Sequence, residues 1–228
     1  MVVNHRPTDE FASWDLWDRG NLNGVAKQPK MLRTEYWREA LKSGLRLDAT
    51  LGANPFKYGA NGATDTHTGL ATADDDNFWG KFAGTEPSPT RWKPVMIGAG
   101  NPGQMYSWEQ SAAGYMGVWA TANTRAALWD AMKRRETYST SGPHMVVRFF
   151  GSFDFDAKDA HNRMPAQIGY AKGVPMGGDL RAAPAGKAPT FLVGAMKDAI
   201  GANLDRYQIV KGWLDKDGKT QEKVYDVA

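Results

Sequence analysis

Apolar and polar positions alternate in distinct ways along the chain. Met31, Leu32, Tyr36, Trp37, Ala40, Leu41, Leu45 and Leu47 recur at three- and four-residue spacing, which predicts an amphipathic helix running to about Leu51. Asn54-Pro55 breaks that pattern, and Phe56–Thr64 reads as a short strand interrupted by Gly59 and Gly62. The polar cluster Asp65-Thr66-His67-Thr68 ends it. Residues 70–112 are rich in Gly, Pro, Asp and Trp with weak periodicity, as in a loop region that shapes a site. Order returns with an expected strand over Gly114–Ala120, then a helix through Ala127, Leu128, Ala131 and Met132 that Thr124 can cap. Thr137–Thr140 is again strand-like, and this alternation up to Gly142 predicts an α/β layered unit.

Beyond Gly142 the helical signal fades. Met145–Phe150 and Phe191–Met196 are strand-like, and 154–189 reads as a Gly/Pro/Ala-rich loop. Tyr207–Leu214 and Glu222–Val227 flank Asp215-Lys216-Asp217-Gly218-Lys219, a turn cluster between two β runs that predicts a hairpin. The chain thus divides into an α/β part, 1–142, and a β-rich, sandwich-like part, 143–228, which stops just after a strand.

Composition narrows the chemistry. With 42% hydrophobic, 11% aromatic and 23% charged residues, the 228-residue chain can build a packed core. It has no cysteine, which excludes disulfides, thiolate nucleophiles and cysteine-ligated metals, and which is compatible with export. A net charge of +3 describes no basic face, so nucleic acid is not an expected partner. Mean hydropathy is −0.53 and no apolar run approaches a membrane span, so no transmembrane segment is expected. Residues 1–20 carry charges throughout, and no signal peptide is expected there.

Asp65-x-His67 is the leading candidate site. A carboxylate and an imidazole two apart share one side of a strand or converge on a turn, and both ligate Mn, Fe or Zn. Thr64, Thr66 and Thr68 can support such ligands by hydrogen bonds. The plainer account makes Asp65 a turn cap and His67 a satisfied loop residue. Gly98-Ala99-Gly100-Asn101-Pro102-Gly103 matches a dinucleotide-loop spacing but lacks a strong preceding strand and a downstream acid, so it reads as a loop. Asp74-Asp75-Asp76-Asn77 lacks the alternation of a calcium loop and reads as a solvated turn. Lys81 and Arg91 can meet an anion or serve as ordinary surface charge. Lys133-Arg134-Arg135 complements a helix C-terminus. Trp79, Trp92, Trp108 and Trp119 crowd the centre of the chain, where they can line a sugar or aryl pocket or anchor loops. His5, His144 and His161 have no partner at ligand spacing, and no serine sits in a nucleophile elbow.

Asn54-Pro55-Phe56-Lys57-Tyr58-Gly59 and the run Gly62–Thr72 resemble the signature segment of the DUF3604 family of bacterial proteins. Asp9–Ala12, Trp17–Asn21, Gly117–Ala120, Thr124-Arg125 and Arg134–Gly142 extend that resemblance nearly end to end. The family in turn resembles the PHP (polymerase and histidinol phosphatase) group of metal-dependent phosphoesterases. The resemblance implies the later part of a PHP-like distorted βα barrel followed by the β-rich segment, with Asp65 and His67 as metal ligands from a late D-x-H motif. PHP sites also use an early His-x-His and mid-barrel Glu and His residues. The four histidines of this chain form no His-x-His. The expectation is therefore an internal to C-terminal fragment of a longer protein, with an incomplete divalent-metal site (Mn, Fe or Zn) and no activity of its own.

The function so implied is that of a metal-dependent hydrolase acting on a small phosphate or related anionic ester, with the 70–112 loops shaping the pocket. A different class competes with it: a non-enzymatic glycan- or ligand-binding protein using the Trp-rich loops and the β part. Oligomeric state and compartment have no signature in the sequence.

Overall fold

The computed structural model describes residues 19–32, 34–65, 67, 84–85, 88–109 and 114–228. The first regular elements are a single turn, α1 (Pro29–Leu32), and the long helix α2 (Trp37–Leu51). Gly52 stops α2 in the left-handed conformation (φ 73°) and donates its N–H to Asp48 O. The helical period is as expected, but the buried face is not purely apolar. Leu41 and Leu51 are exposed, whereas Lys42 and Gly44 are buried. Lys42 is buried because its ammonium reaches Glu39 at 2.6 Å and Glu222 at 3.2 Å. Gly44 leaves the space that the Asn54 side chain fills.

Glu222 comes from the C-terminal hairpin, β8 (Gln208–Leu214) and β9 (Thr220–Asp226), which packs on α2. Its antiparallel register runs from Gln208↔Asp226 to Leu214↔Thr220. The Asp215 carboxylate closes the turn, accepting the N–H groups of Asp217 (3.0 Å) and Lys219 (2.9 Å). Gly218 supplies the left-handed residue the turn requires (φ 73°).

The middle of the chain is a set of small antiparallel sheets. β1 (Val95–Ile97) pairs with β2 (Met105–Tyr106), and a short 3₁₀ turn, Ser107–Glu109, follows. β3 (Met116–Val118) pairs with β4 (Thr137–Ser139), and α3 (Arg125–Lys133) connects them. Thr124 caps α3 as expected, its hydroxyl accepting Ala127 N–H at 3.3 Å. The strands at the two ends of α3 run antiparallel, so α3 links a strand pair rather than crossing over between parallel strands. Among the described residues the strands form four separate sheets and close no barrel. The architecture is mixed α/β with small antiparallel sheets.

Among the described residues the largest sheet has β5 (Val146–Ser152) at its centre, between β6 (Val174–Pro175) and β7 (Thr190–Met196). The stretch 154–189, expected to be loop, instead folds into α4 (Ala157–Ala160), α5 (Pro165–Lys172) and β6. Asp156 and Asp159 form a capping box at α4, and Pro165 starts α5, where a missing N–H costs nothing. α5 is held from outside. Phe150 of β5 is almost fully buried and meets the Tyr170 ring edge-on at 5.1 Å, and the bare backbone of Gly169 sits on the Phe150 ring.

Candidate functional site

The path to Asp65 begins at the end of α2. The Asn54 side chain accepts Phe56 N–H at 3.0 Å and turns the chain after the Asn54-Pro55 break. Phe56 lies in a turn and residues 57–64 join no ladder, contrary to the expected strand. Their backbone bonds go to side chains instead: Arg135 Nη1 donates to Lys57 O (2.9 Å) and Thr137 Oγ1 to Ala60 O (2.7 Å). Gly59 and Gly62 explain this. A Cβ on Gly59 would press on Thr137 and Arg135, and one on Gly62 would collide with the Tyr115 backbone.

At the end of this run Asp65 takes a positive φ of 50°, a conformation that Asp tolerates better than most residues. The bend aims its carboxylate at the imidazole two residues on, and Asp65 Oδ1 lies 3.2 Å from His67 Nε2. Both side chains remain accessible, at 61% for Asp65 and 51% for His67. Two ligand atoms each about 2.0–2.2 Å from one metal, at tetrahedral or octahedral angles, lie roughly 3.0–3.5 Å apart. The observed separation therefore suits a hydrogen bond and a shared cation equally. Among the described residues no group of three or more His, Cys, Asp or Glu side chains can hold a metal ion. Thr66, Thr68, Asp74-Asp75-Asp76, Trp79, Lys81 and His5 lie outside the described residues.

The other candidates resolve individually. Gly98–Gly103 forms the loop of the β1–β2 hairpin, with Gly98 (φ 65°) and Gly100 (φ 80°) left-handed, and β2 rather than a helix follows it. Trp92 and Trp108 are exposed on neighbouring segments, joined by Trp108 N–H donating to Trp92 O at 3.2 Å. Trp119 is an anchor instead, its Nε1 donating to Val147 O at 3.0 Å. Arg134 and Arg135 follow the end of α3, as cations suited to a helix C-terminus do. His161 is the C-cap residue of α4. His144 has a partner far away in sequence: its backbone N–H donates to the Asp198 carboxylate, and its ring lies 4.5 Å from that of Tyr115. These backbone donors, from His144 and Ile200, hold the buried Asp198 carboxyl below the usual range.

One cluster had only one local sequence hint. Glu136, only 2% exposed, accepts a hydrogen bond from the Tyr170 hydroxyl and pairs with Arg134 at 2.9 Å and Arg148 at 3.9 Å. Burial and the adjacent Glu136 carboxylate push the Tyr170 hydroxyl above its ordinary pKa. Arg148 interrupts the apolar run of β5 between Val147 and Phe149, the one local hint that this position faces a buried polar group. The cluster ties the α3–β4 connection, β5 and α5 together through satisfied polar groups.

A family model described as "Protein of unknown function (DUF3604)" matches residues 3–228. No curated protein and no solved structure matches the chain.

Proposed function

The chain belongs to the DUF3604 family, and from the site geometry we propose that it contributes to a metal-dependent hydrolase related to PHP-type phosphoesterases. Asp65 and His67 would be two of the metal ligands, and a small phosphate or related anionic ester the substrate. One observation carries this reading: a left-handed Asp65 brings its carboxylate within 3.2 Å of His67 Nε2 on an accessible part of the chain.

Mn, Fe or Zn held there would supply Lewis-acid polarisation of an ester. Asp65 would provide charge neutralisation and His67 a neutral imidazole nitrogen. Catalytic metal sites usually carry at least three protein ligands, so the proposal calls for further donors beyond this pair. The pair alone would bind metal weakly and turn over nothing. Division into a barrel-derived part, 1–142, and a C-terminal part, 143–228, belongs to the same proposal.

The test is titration of the chain with Mn²⁺, Fe²⁺ and Zn²⁺ by calorimetry, alongside Asp65→Asn and His67→Gln. Binding that is lost in both variants supports the reading. Metal uptake that is absent, or indifferent to both substitutions, overturns it.

A second reading rests on Trp92 and Trp108, exposed at 52% and 61% on segments joined by a backbone hydrogen bond. Accessible indoles suit stacking on sugar rings and favour a glycan-binding role. Quenching of tryptophan fluorescence by soluble oligosaccharides, abolished by Trp108→Ala, would support it, and no quenching would reject it.

A further inference from the structure

We propose that the cavity between α2, the 54–58 segment and the β8–β9 hairpin binds a small organic anion, with Arg135 meeting its acidic headgroup. The cavity has a volume of about 360 Å³, within the range that small-molecule sites occupy. Asp65 and His67 do not line it, so the inference is independent of the metal reading.

Charge accounting around the walls leaves one cation over. Lys42 is matched by Glu39 and Glu222, and Arg38 lies 3.7 Å from Glu222. At the mouth Lys57 pairs with Asp179 at 2.6 Å. Arg135 also lines the cavity, and among the described residues no carboxylate pairs with it. Its Nη1 meets only a backbone carbonyl, Lys57 O, which leaves most of the guanidinium fork unused. A planar fork of this kind suits a carboxylate or phosphate oxygen pair.

The position of Arg135 is built rather than incidental. It is a non-glycine residue at positive φ (65°), a strained conformation that the surrounding structure must impose. Gly177 packs against it from the facing loop: it is itself left-handed (φ 80°), and its missing Cβ leaves room for the Arg135 carbonyl. Glu136, buried immediately after, fixes the chain on the other side. The remaining wall is apolar, from Leu41, Leu45, Phe56, Tyr58 and Val210, with the Phe56 and Tyr58 rings edge-to-face at 6.3 Å. Such walls favour an anion carrying an aryl or alkyl body over a bare inorganic ion.

The experiment is calorimetric titration of the chain in chelator-containing buffer, so that metal binding plays no part. The probes are phenylacetate, phenyl phosphate, inorganic phosphate and benzyl alcohol. Binding of at least one aryl anion, tighter than inorganic phosphate and benzyl alcohol, is expected. The tighter of phenylacetate and phenyl phosphate identifies the headgroup as carboxylate or phosphate monoester. Arg135→Asn tolerates the positive φ while removing the cation, and should weaken the aryl anion about tenfold with no change for benzyl alcohol. Val210→Phe, which narrows the cavity from the hairpin and leaves Arg135 intact, should abolish aryl-anion binding. The proposal is overturned if neither aryl anion binds, if inorganic phosphate binds as tightly as they do, or if both variants bind like the parent.

Discussion

The Arg148 guanidinium lies 3.1 Å from the centroid of the Trp119 ring, a cation–π stack joining the middle of β5 to the residue that follows β3. The same guanidinium donates to the Tyr170 hydroxyl at 3.0 Å and lies 3.9 Å from buried Glu136. Arg148 thus adds to the compensation that Arg134, at 2.9 Å, and the Tyr170 hydroxyl give the buried Glu136 carboxylate. Arg148→Ala removes the stack and part of that compensation together, and should cost about 2–4 kcal/mol in urea unfolding. Arg148→Lys keeps the charge but not the plane, and should cost roughly 1 kcal/mol. Equal losses for the two variants would mean that packing, not charge, sets the contribution.

The loops before α1 and between β1 and β2 interlock through glycine backbone. Gly24 (φ 69°) and Gly98 (φ 65°) approach so closely that a Cβ on either would run into the other, and Gly103 N–H donates to Gly24 O at 3.3 Å. Gly100, left-handed at φ 80° in the same loop, faces open space. Gly98→Ala should therefore destabilise by about 2–4 kcal/mol, through strain plus collision, and Gly100→Ala by only about 1 kcal/mol, through strain. Thermal denaturation of the two variants side by side decides it. Equal losses would mean that the interlock contributes nothing.

These elements mark what the sequence could and could not disclose. The Thr124 cap and the Asp215–Lys219 turn rest on signals within a few residues and form as expected, whereas the helix expected from Met31 to Leu51 is split, its first turn ending at Leu32 and α2 starting only at Trp37 after an extended Tyr36. α5 was hidden because its Gly- and Ala-rich sequence has no apolar stripe, and its stability comes from Phe150 and Tyr170 packing across the sheet. Residues 56–64 have the composition of a strand but lie where glycine backbones and side-chain donors replace a partner strand. The Asp65–His67 approach was legible because the two are neighbours in sequence, whereas the left-handed turn that creates it was not. Glu136 with Arg148, and Arg135 with the cavity, assemble from distant segments, and no local pattern encodes such meetings. Of the function, only the family resemblance came from the sequence, and the family model agrees with it over residues 3–228.

Asp159 and Lys172 form a hydrogen-bonded ion pair at 2.7 Å between α4 and the end of α5. The bond to Lys172, followed by the N–H contact at Asp156, lowers the Asp159 carboxyl below its ordinary pKa, and the same bond to Asp159 raises the Lys172 ammonium above its own. As pH falls below about 4, the unfolded chain protonates this carboxyl first, so the contribution present above that pH fades toward the folded-state value. At the alkaline end the unfolded lysine loses its proton first. The contribution, complete below about pH 10, then disappears as pH rises through the folded-state value. Asp159→Asn should therefore flatten the stability profile at both ends. Urea unfolding across the pH range tests this, and an unchanged slope below pH 4 would show that other carboxyls, such as Asp198 and Asp215, carry the acid dependence.

Asp65 combines two properties that substitution can separate: a positive φ and a negative charge. Asparagine adopts the left-handed region nearly as readily as aspartate and keeps the side-chain shape, so Asp65→Asn should fold with stability within about 0.5 kcal/mol of the parent. Alanine lacks the side chain that makes this conformation tolerable, and Asp65→Ala should lose roughly 1 kcal/mol. If the 3.2 Å approach to His67 is a metal-ligand pair, both variants lose divalent-metal affinity alike, by at least about tenfold, despite their different stabilities. If the carboxylate serves only to stabilise the turn, metal affinity is the same in parent and variants, and only Asp65→Ala shows a defect, in unfolding. Measuring stability and Mn²⁺ or Zn²⁺ binding on the same samples places Asp65 in one class or the other, because ligation predicts an equal loss of metal affinity in Asn and Ala whereas strain alone predicts a defect confined to Ala.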